Sequence, residues 1–375
     1  MEKMLIDWDW VVERLRGQDI SGWFNNATGG RYLQEFQTRF AEYCGVKHGI
    51  AVSSGSASIY VALRACGVGV NDYVAVPAYT HIGTVAPIVL AGAKPVFIDS
   101  DKYGNMSPSD LGEAIKGKRN LRAVIPVHLL GVPCEMREIK EIVDDYSEGV
   151  FIIEDASHAL GSEYMGKRCG SLGNIGCFSI GGGRTKTIGT GEGGMIVTDD
   201  DSLAEKCRNV RNHGDRYTDV DYLCFNFRMS ELNATVGLSQ IPKLDMIVDW
   251  QIKKAEYLLA KLPSFLTVPE PQAHVKSTRY LLGCVYKGER LQRDEFVARL
   301  LDTLKRKGIE NGVPRRNVSK GQAKLIEEVR FYQRFKRGCS FAQSLVDHSF
   351  WIDWHRYPRT EEEIDELLKT IREIA

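Results

Sequence analysis

A single lysine, Lys186, lies in the stretch SIGGGRTKTIGTGEGG (179–194), which carries seven glycines. Bare backbone of this kind suits a chain that must pass close to a phosphate or a flat ring. Two nucleotide motifs fail here. The phosphate loop needs Gly-Lys-Ser/Thr, and Thr185 precedes Lys186. Gly189 to Gly194 matches G-x-G-x-x-G, but that fingerprint follows a strand and opens a helix, whereas these glycines run into MIVTDD, a strand pattern. The remaining chemistry is a lysine amine that forms a Schiff base with pyridoxal phosphate. A solvated loop lysine is the plain alternative, so the cofactor's other requirements must be sought elsewhere in the chain.

The ring nitrogen needs a carboxylate. FIIEDASHALG supplies Asp155 at the carboxyl end of a strand, the edge where open α/β sheets bind ligands. The phosphate needs amides at a helix N-terminus, and VSSGSASIYVAL offers Gly55, Ser56 and Ala57 where a helix opens. A flat side chain must cover the ring, and VPAYTHIGT puts Tyr79 and His81 just past another strand. Ser179, seven residues before Lys186, could donate to the phosphate. Each has an ordinary counterpart: a strand-end Asp capping a turn, or a serine N-cap. Their order along one chain is what points to the cofactor.

The elements that must carry these residues alternate. HGIAVS, YVAVP, KPVFID, LRAVIPVH and GVFIIED read as strands, and GCFSI and GMIVTD flank the glycine stretch as two more. ASIYVALRACG, GTVAPIVLAGA and EMREIKEIVDDY read as the helices between. RYLQEFQTRFAEYCG precedes them as a helix, with Leu33, Phe36, Phe40 and Tyr43 on one face and Gly45 as its stop. This β-α-β alternation predicts an α/β fold with a mostly parallel sheet covered on both faces. From about Leu244 the character changes. DWQIKKAEYLLAKL reads as a linking helix, and RTEEEIDELLKTIREIA begins with a capping box, Thr360 and Glu363. We therefore divide the chain into residues 1–243, an N-terminal segment and large cofactor-binding domain, and 244–375, a linking helix and small C-terminal domain.

Composition sets the frame. The 375 residues carry 49 Lys+Arg and 49 Asp+Glu, so no net field favours nucleic acid or an anionic membrane. Nine scattered cysteines form no C-x-x-C pair, which signals no metal site and fits a reducing cytoplasm. MEKMLIDWDWVVERLRG lacks the apolar core of a signal peptide, and no apolar run reaches membrane-spanning length. The basic stretch LKRKGIENGVPRRNVSK could meet an anionic acceptor or form a solvated face, and the solvated face is the preferred reading.

In combination, FAEYCGVKH, SSGSASIYVALRACGVG, VPAYTHIGT, GAKPVFID, PVHLLG, EDASHALG, KTIGTGEGGMIVTDD, RNHG and FNFRMSELNATVGLSQI make the chain similar to one family. It resembles the DegT/StrS-like pyridoxal-phosphate aminotransferases of sugars and aminocyclitols, from about Gly22 to Gln240. The resemblance implies the fold type I architecture of aspartate aminotransferase, with a seven-stranded, mostly parallel sheet and a smaller C-terminal α+β domain. It implies that Lys186 carries the cofactor, Asp155 pairs with its ring nitrogen, and His158 lies near its phenolic oxygen. His81 stands where the family stacks an aromatic. Gly55, Ser56, Ala57 and Ser179 would bind the phosphate. Asn226 would reach the cofactor of the other subunit, which makes the active unit a homodimer, and Arg228 would meet the donor carboxylate or brace the loop.

Two departures from the family pattern stand out. GGGRT lengthens the run between Ser179 and Lys186, with Ile180 in place of an aromatic, and ENGVPRRNVSK replaces a Tyr-Pro-x-x-His stretch. The implied reaction moves an amino group from glutamate or glutamine to a keto sugar or keto cyclitol, in a cytoplasmic enzyme of aminosugar or aminocyclitol biosynthesis. An aromatizing aminohydroxybenzoate synthase and a sugar dehydratase of the same fold are the alternatives. The dehydratase replaces the lysine with histidine, whereas Lys186 is present.

Overall fold

Short runs of β-branched and apolar residues form a seven-stranded sheet in the computed structural model. The structure describes residues 6–16, 29–147, 149–181, 186–214, 224–307, 324–325, 338–353 and 360–375. The strands are β1 (His48–Val52), β2 (Tyr73–Pro77), β3 (Lys94–Ile98), β4 (Leu121–Val124), β5 (Phe151–Asp155), β6 (Ile175–Ser179) and β7 (Gly194–Thr198). Their spatial order is β1-β7-β6-β5-β4-β2-β3. The pairs from β6 to β3 are parallel, while β7 runs antiparallel to both β6 and β1. The predicted strands all form, and the glycine stretch lies in sequence between the antiparallel pair β6 and β7.

Helices α1 (Trp8–Leu15), α2 (Arg31–Cys44), α3 (Gly55–Ala65), α4 (Ile82–Leu90), α5 (Pro108–Ile115), α6 (Met136–Tyr146), α7 (Asp201–Arg211) and α8 (Glu231–Leu238) accompany the sheet. α2 buries Leu33, Phe36 and Phe40 and ends at Gly45 in the left-handed region. Its first amides, from Tyr32 and Leu33, donate to the buried carboxylate of Glu231 at the start of α8, which fixes the two helices to each other. Apolar clusters lie on both faces of the sheet. Ile59, Leu63 and Val85 belong to one, and Phe36, Phe40 and Phe178 to another.

Helix α9 (Leu244–Leu259) joins two cores. Leu244 and Ile247 pack with the large sheet, while Ala255 and Leu258 pack in a separate cluster around Phe296, Phe350 and Leu367. That second cluster is built on a three-stranded antiparallel sheet, β8 (Leu266–Thr267), β9 (Leu281–Tyr286) and β10 (Ser349–Asp353). Helix α10 (Arg293–Arg306) packs on it, α11 (Ser340–His348) places Ala342 and Val346 in the core of the large sheet, and α12 (Glu361–Ile374) packs on the small sheet and opens with the predicted Thr360–Glu363 capping box. Tyr280, Leu281 and Trp351 instead join the core of the large sheet. The basic stretch after Lys307 lies outside the described residues. Lys307 itself pairs with Glu366 and Glu373 at 2.9 Å each.

Candidate active site

Strand β5 ends in Glu154 and Asp155, whose side chains point to opposite faces of the sheet by the alternation of strand residues. Glu154 is fully buried. One carboxylate oxygen accepts the His128 Nε2–H at 3.0 Å and the Gly170 amide at 2.7 Å, and the other accepts the Leu172 and Gly173 amides at 2.7 Å each. His128 Nδ1 accepts the Cys134 amide at 3.0 Å, so its proton sits on Nε2. The His128 amide donates to the Asp155 carbonyl at 3.1 Å, and the Asp155 amide to the Pro126 carbonyl at 2.9 Å. The strand end is thus held from both sides. Cys169 lies within 4.8 Å of His128 and Glu154, but burial pushes its thiol above the ordinary cysteine range. With both His128 nitrogens and both Glu154 oxygens hydrogen-bonded, this trio serves as structure.

Asp155, also buried, accepts the Thr84 hydroxyl at 2.7 Å and the Ser157 amide at 3.1 Å. The Lys186 ammonium donates to the Ser157 carbonyl at 3.0 Å. Lys186 and Asp155 therefore meet the same residue. Lys186 Nζ also sits 5.3 Å from the centroid of the Tyr280 ring, within cation–π range. His158 stacks on that ring at 4.5 Å and 18°, and meets Trp351 edge-on. The three residues assigned to chemistry from the sequence thus converge. Tyr280 and Trp351, which join them from beyond residue 244, had no local motif to announce them.

The glycine turn returns to the sheet under firm control. The Gln240 side chain accepts the Gly189 amide at 3.1 Å and donates to the Gly189 carbonyl at 2.9 Å. The Asn233 amide donates to the carbonyls of Thr190 and Glu192. Residues 182–185, which hold most of the extra GGGRT, lie outside the described residues.

Helix α3 opens beside the end of β6. Ser54 is its N-cap and accepts the Ala57 amide. The amides of Gly55 and Ser56, first in the helix, have no carbonyl within it to bond. A Cβ on Gly55 would lie 2.6 Å from Ser179 Cβ, and one on Gly83 would lie 2.6 Å from Ser56 Oγ. Gly55, Ser56, Ala57 and Ser179 therefore share one tight corner, next to the start of α4. His81 is the exposed N-cap of α4 and accepts the Gly83 amide at 3.0 Å on Nδ1.

Asn226 is exposed. It pairs with Asn212 by a backbone bridge, and its side chain accepts the Arg228 amide at 3.0 Å. Arg228 in turn donates to Asn212 Oδ1. The Phe227 carbonyl accepts the Ser53 amide at 2.8 Å, which lays this segment against the turn before α3.

A buried carboxylate, a lysine that meets the same residue as that carboxylate, and helix amides in a cradle too tight for a Cβ fit pyridoxal phosphate. This defines a fold type I pyridoxal-phosphate enzyme. The chain matches the DegT/DnrJ/EryC1/StrS aminotransferase family over residues 11–362 and belongs to it. Membership makes it an aminotransferase with pyridoxal phosphate as cofactor. It is similar to GDP-perosamine synthase of Caulobacter vibrioides, 39% identical over 251 residues, spanning 64% of this chain and 65% of that protein. It is similar to the spore coat polysaccharide biosynthesis protein SpsC of Bacillus subtilis, 33% identical over 95% of this chain and 92% of that one. A solved DegT DnrJ EryC1 StrS aminotransferase from Brucella abortus is 28% identical, with a TM-score of 0.80 over 92% of this chain and 90% of that one.

Proposed function

We propose that this protein transfers an amino group from glutamate or glutamine to a keto sugar, in the biosynthesis of an aminosugar. The observation that carries the reading is the convergence of Lys186 and Asp155 on Ser157, with the amides of α3 alongside. The names of its relatives, a perosamine synthase and a spore coat polysaccharide protein, favour a sugar acceptor over a cyclitol, over an aromatizing synthase and over a dehydratase.

The chemistry that pyridoxal phosphate supplies when bound is an electron sink for the carbanion left when the amine-bearing carbon loses a proton. Lys186 would take that proton on Nζ and return it to the neighbouring carbon, which requires its amine to be unprotonated at that moment. Asp155 would hold a proton on the ring nitrogen, because a nearby carboxylate favours the charged partner. Gly55 and Ser56 would donate their amides to the phosphate, with Ala57 and the Ser179 hydroxyl beside them. His158, stacked on Tyr280, would donate toward the ring oxygen, and His81 would cover the ring face.

We further propose a homodimer in which Asn226 reaches the partner's phosphate. The exposure of Asn226, Phe225 and Ile82 beside the corner of α3 supports this. We divide the chain functionally at 243/244, where α9 begins. No helix among the described residues is long and apolar enough to cross a membrane, and we place the enzyme in the cytoplasm. The test is an absorbance spectrum of the loaded protein, with glutamate and glutamine added separately. The visible band of the lysine-bound cofactor should bleach with one of them. A band indifferent to both, in a protein that binds cofactor, would contradict the reading.

A further inference from the structure

Thr84 and Thr80 lie behind the carboxylate just assigned to the ring nitrogen, and neither belongs to the phosphate corner or to the lysine. Both are buried, at 2% and 0% exposure. Thr84 Oγ1 donates to Asp155 Oδ2 at 2.7 Å. Having given its one proton to Asp155, Thr84 can only accept in its 3.1 Å contact with Thr80 Oγ1, so Thr80 is the donor there. The direction of the chain is therefore set: Thr80 to Thr84 to Asp155. The other Asp155 oxygen accepts the Ser157 amide at 3.1 Å. With one donor on each oxygen the carboxylate cannot turn about its Cβ–Cγ bond without breaking a charge-assisted bond.

Thr84 sits in the first turn of α4, the helix that His81 caps. The same short segment, YTHIGT, thus carries both the residue assigned to the ring face and the hydroxyl that grips Asp155. The helix buries Val85 and Ile88 in the core, which keeps the Thr84 hydroxyl from drifting. Valine has the same branched shape as threonine and no hydroxyl, so shape and hydrogen bond can be separated at this position.

We propose that Thr84, oriented by Thr80, is a positioning residue that fixes the rotation of the Asp155 carboxylate toward the cofactor's ring nitrogen. The inference rests on the reading of Asp155 given above. It requires that loss of the hydroxyl weaken cofactor binding and disturb the bound spectrum even where the fold is intact. A purely structural threonine would differ in one respect: its loss would lower stability but leave the affinity and the spectrum of the bound cofactor alone.

The experiment strips and reloads the full-length protein with pyridoxal phosphate in four forms: wild type, Thr84→Val, Thr84→Ser and Asp155→Asn. The dissociation constant, the position of the visible band across pH, and the thermal midpoint of the cofactor-free protein are measured for each. A hydrogen bond to a charged group predicts about a tenfold or larger rise in dissociation constant for Thr84→Val. Its band should shift, its midpoint should fall because the buried Thr80 hydroxyl and Asp155 each lose a partner, and Thr84→Ser should bind and absorb like wild type. Should Thr84→Val fail to fold, Thr84→Ala against Thr84→Ser makes the same comparison, since only serine keeps the hydroxyl. Unchanged affinity and band in Thr84→Val, with both altered in Asp155→Asn, would overturn the proposal and leave the Asp155 reading standing. Equal losses in Thr84→Val and Thr84→Ser would overturn it as well. Wild-type behaviour of Asp155→Asn would remove the reading on which it rests.

Discussion

Removing the carboxylate of Glu154 should unfasten the strand end that carries Asp155. In Glu154→Ala four donors lose their acceptor: His128 Nε2–H and the amides of Gly170, Leu172 and Gly173. The first two are buried, and the Leu172 and Gly173 bonds are part-buried, so water can partly replace those. A buried donor left unmade costs about 1–3 kcal/mol. Two of them, together with the space left by the side chain, put the expected loss near 4 kcal/mol. That is a large share of a typical stability of roughly 5–15 kcal/mol. Glu154→Gln should lose less, because it fills the space and its carbonyl can keep the Leu172 and Gly173 amides, but it should still be clearly destabilised, since its NH₂ faces the two buried donors. The assay is urea unfolding followed by far-ultraviolet circular dichroism, with cofactor titration on whatever remains folded. Cofactor affinity should fall in both variants, since Asp155 is the next residue. A Glu154→Ala protein within 1 kcal/mol of wild type would refute the view that this carboxylate organises the strand end.

Two further outcomes follow from the geometry. In Gly55→Ala the new Cβ starts 2.6 Å from Ser179 Cβ, so α3 and β6 must part by roughly 0.9 Å to reach ordinary carbon contact. Displacement on that scale should weaken cofactor binding and lower kcat/KM by about tenfold to a hundredfold, read from cofactor titration and steady-state rates. Burial raises the Asp101 carboxyl to about 7, against the opposing pull of the Tyr103 and Asn105 amides. A raised carboxyl binds its proton more tightly when folded. Its contribution to stability is therefore full below the unfolded value of about 4 and is lost as pH rises through about 7. Asp101→Asn should flatten that part of the curve of thermal midpoint against pH.

The large sheet was legible because its strands are short apolar runs bounded by glycine, proline and polar turns, and the helices between them carry a clear apolar face. α2, α3 and α6 form where the spacing places them. α8 was not legible, since Ala234, Thr235, Val236, Gly237 and Leu238 are all buried and leave no polar stripe to mark a face. α1, α5 and α7 escaped for another reason. Asp7, Ser107 and Asp200 cap them, but α1 and α5 span only eight residues each and α7 is largely polar, so the caps were the main signal. At the site, Lys186, Asp155 and the opening of α3 could be found because cofactor chemistry demands those residue types in that order. Tyr280, Trp351, Thr84 and the His128–Glu154 pair could not. Their partners lie far away in sequence, 71 residues in the case of Thr84 and Asp155, and no local pattern encodes a contact between distant strands.

The central claim is that Lys186 is the residue that holds the cofactor. The direct measurement is to load the protein with pyridoxal phosphate, reduce the carbon–nitrogen double bond with borohydride, digest, and locate the added mass by peptide sequencing in a mass spectrometer. The account predicts a single modified peptide with the label on Lys186, and none in Lys186→Ala. A label on another lysine at full occupancy, or an unmodified Lys186 in a protein that retains its visible band, would contradict it.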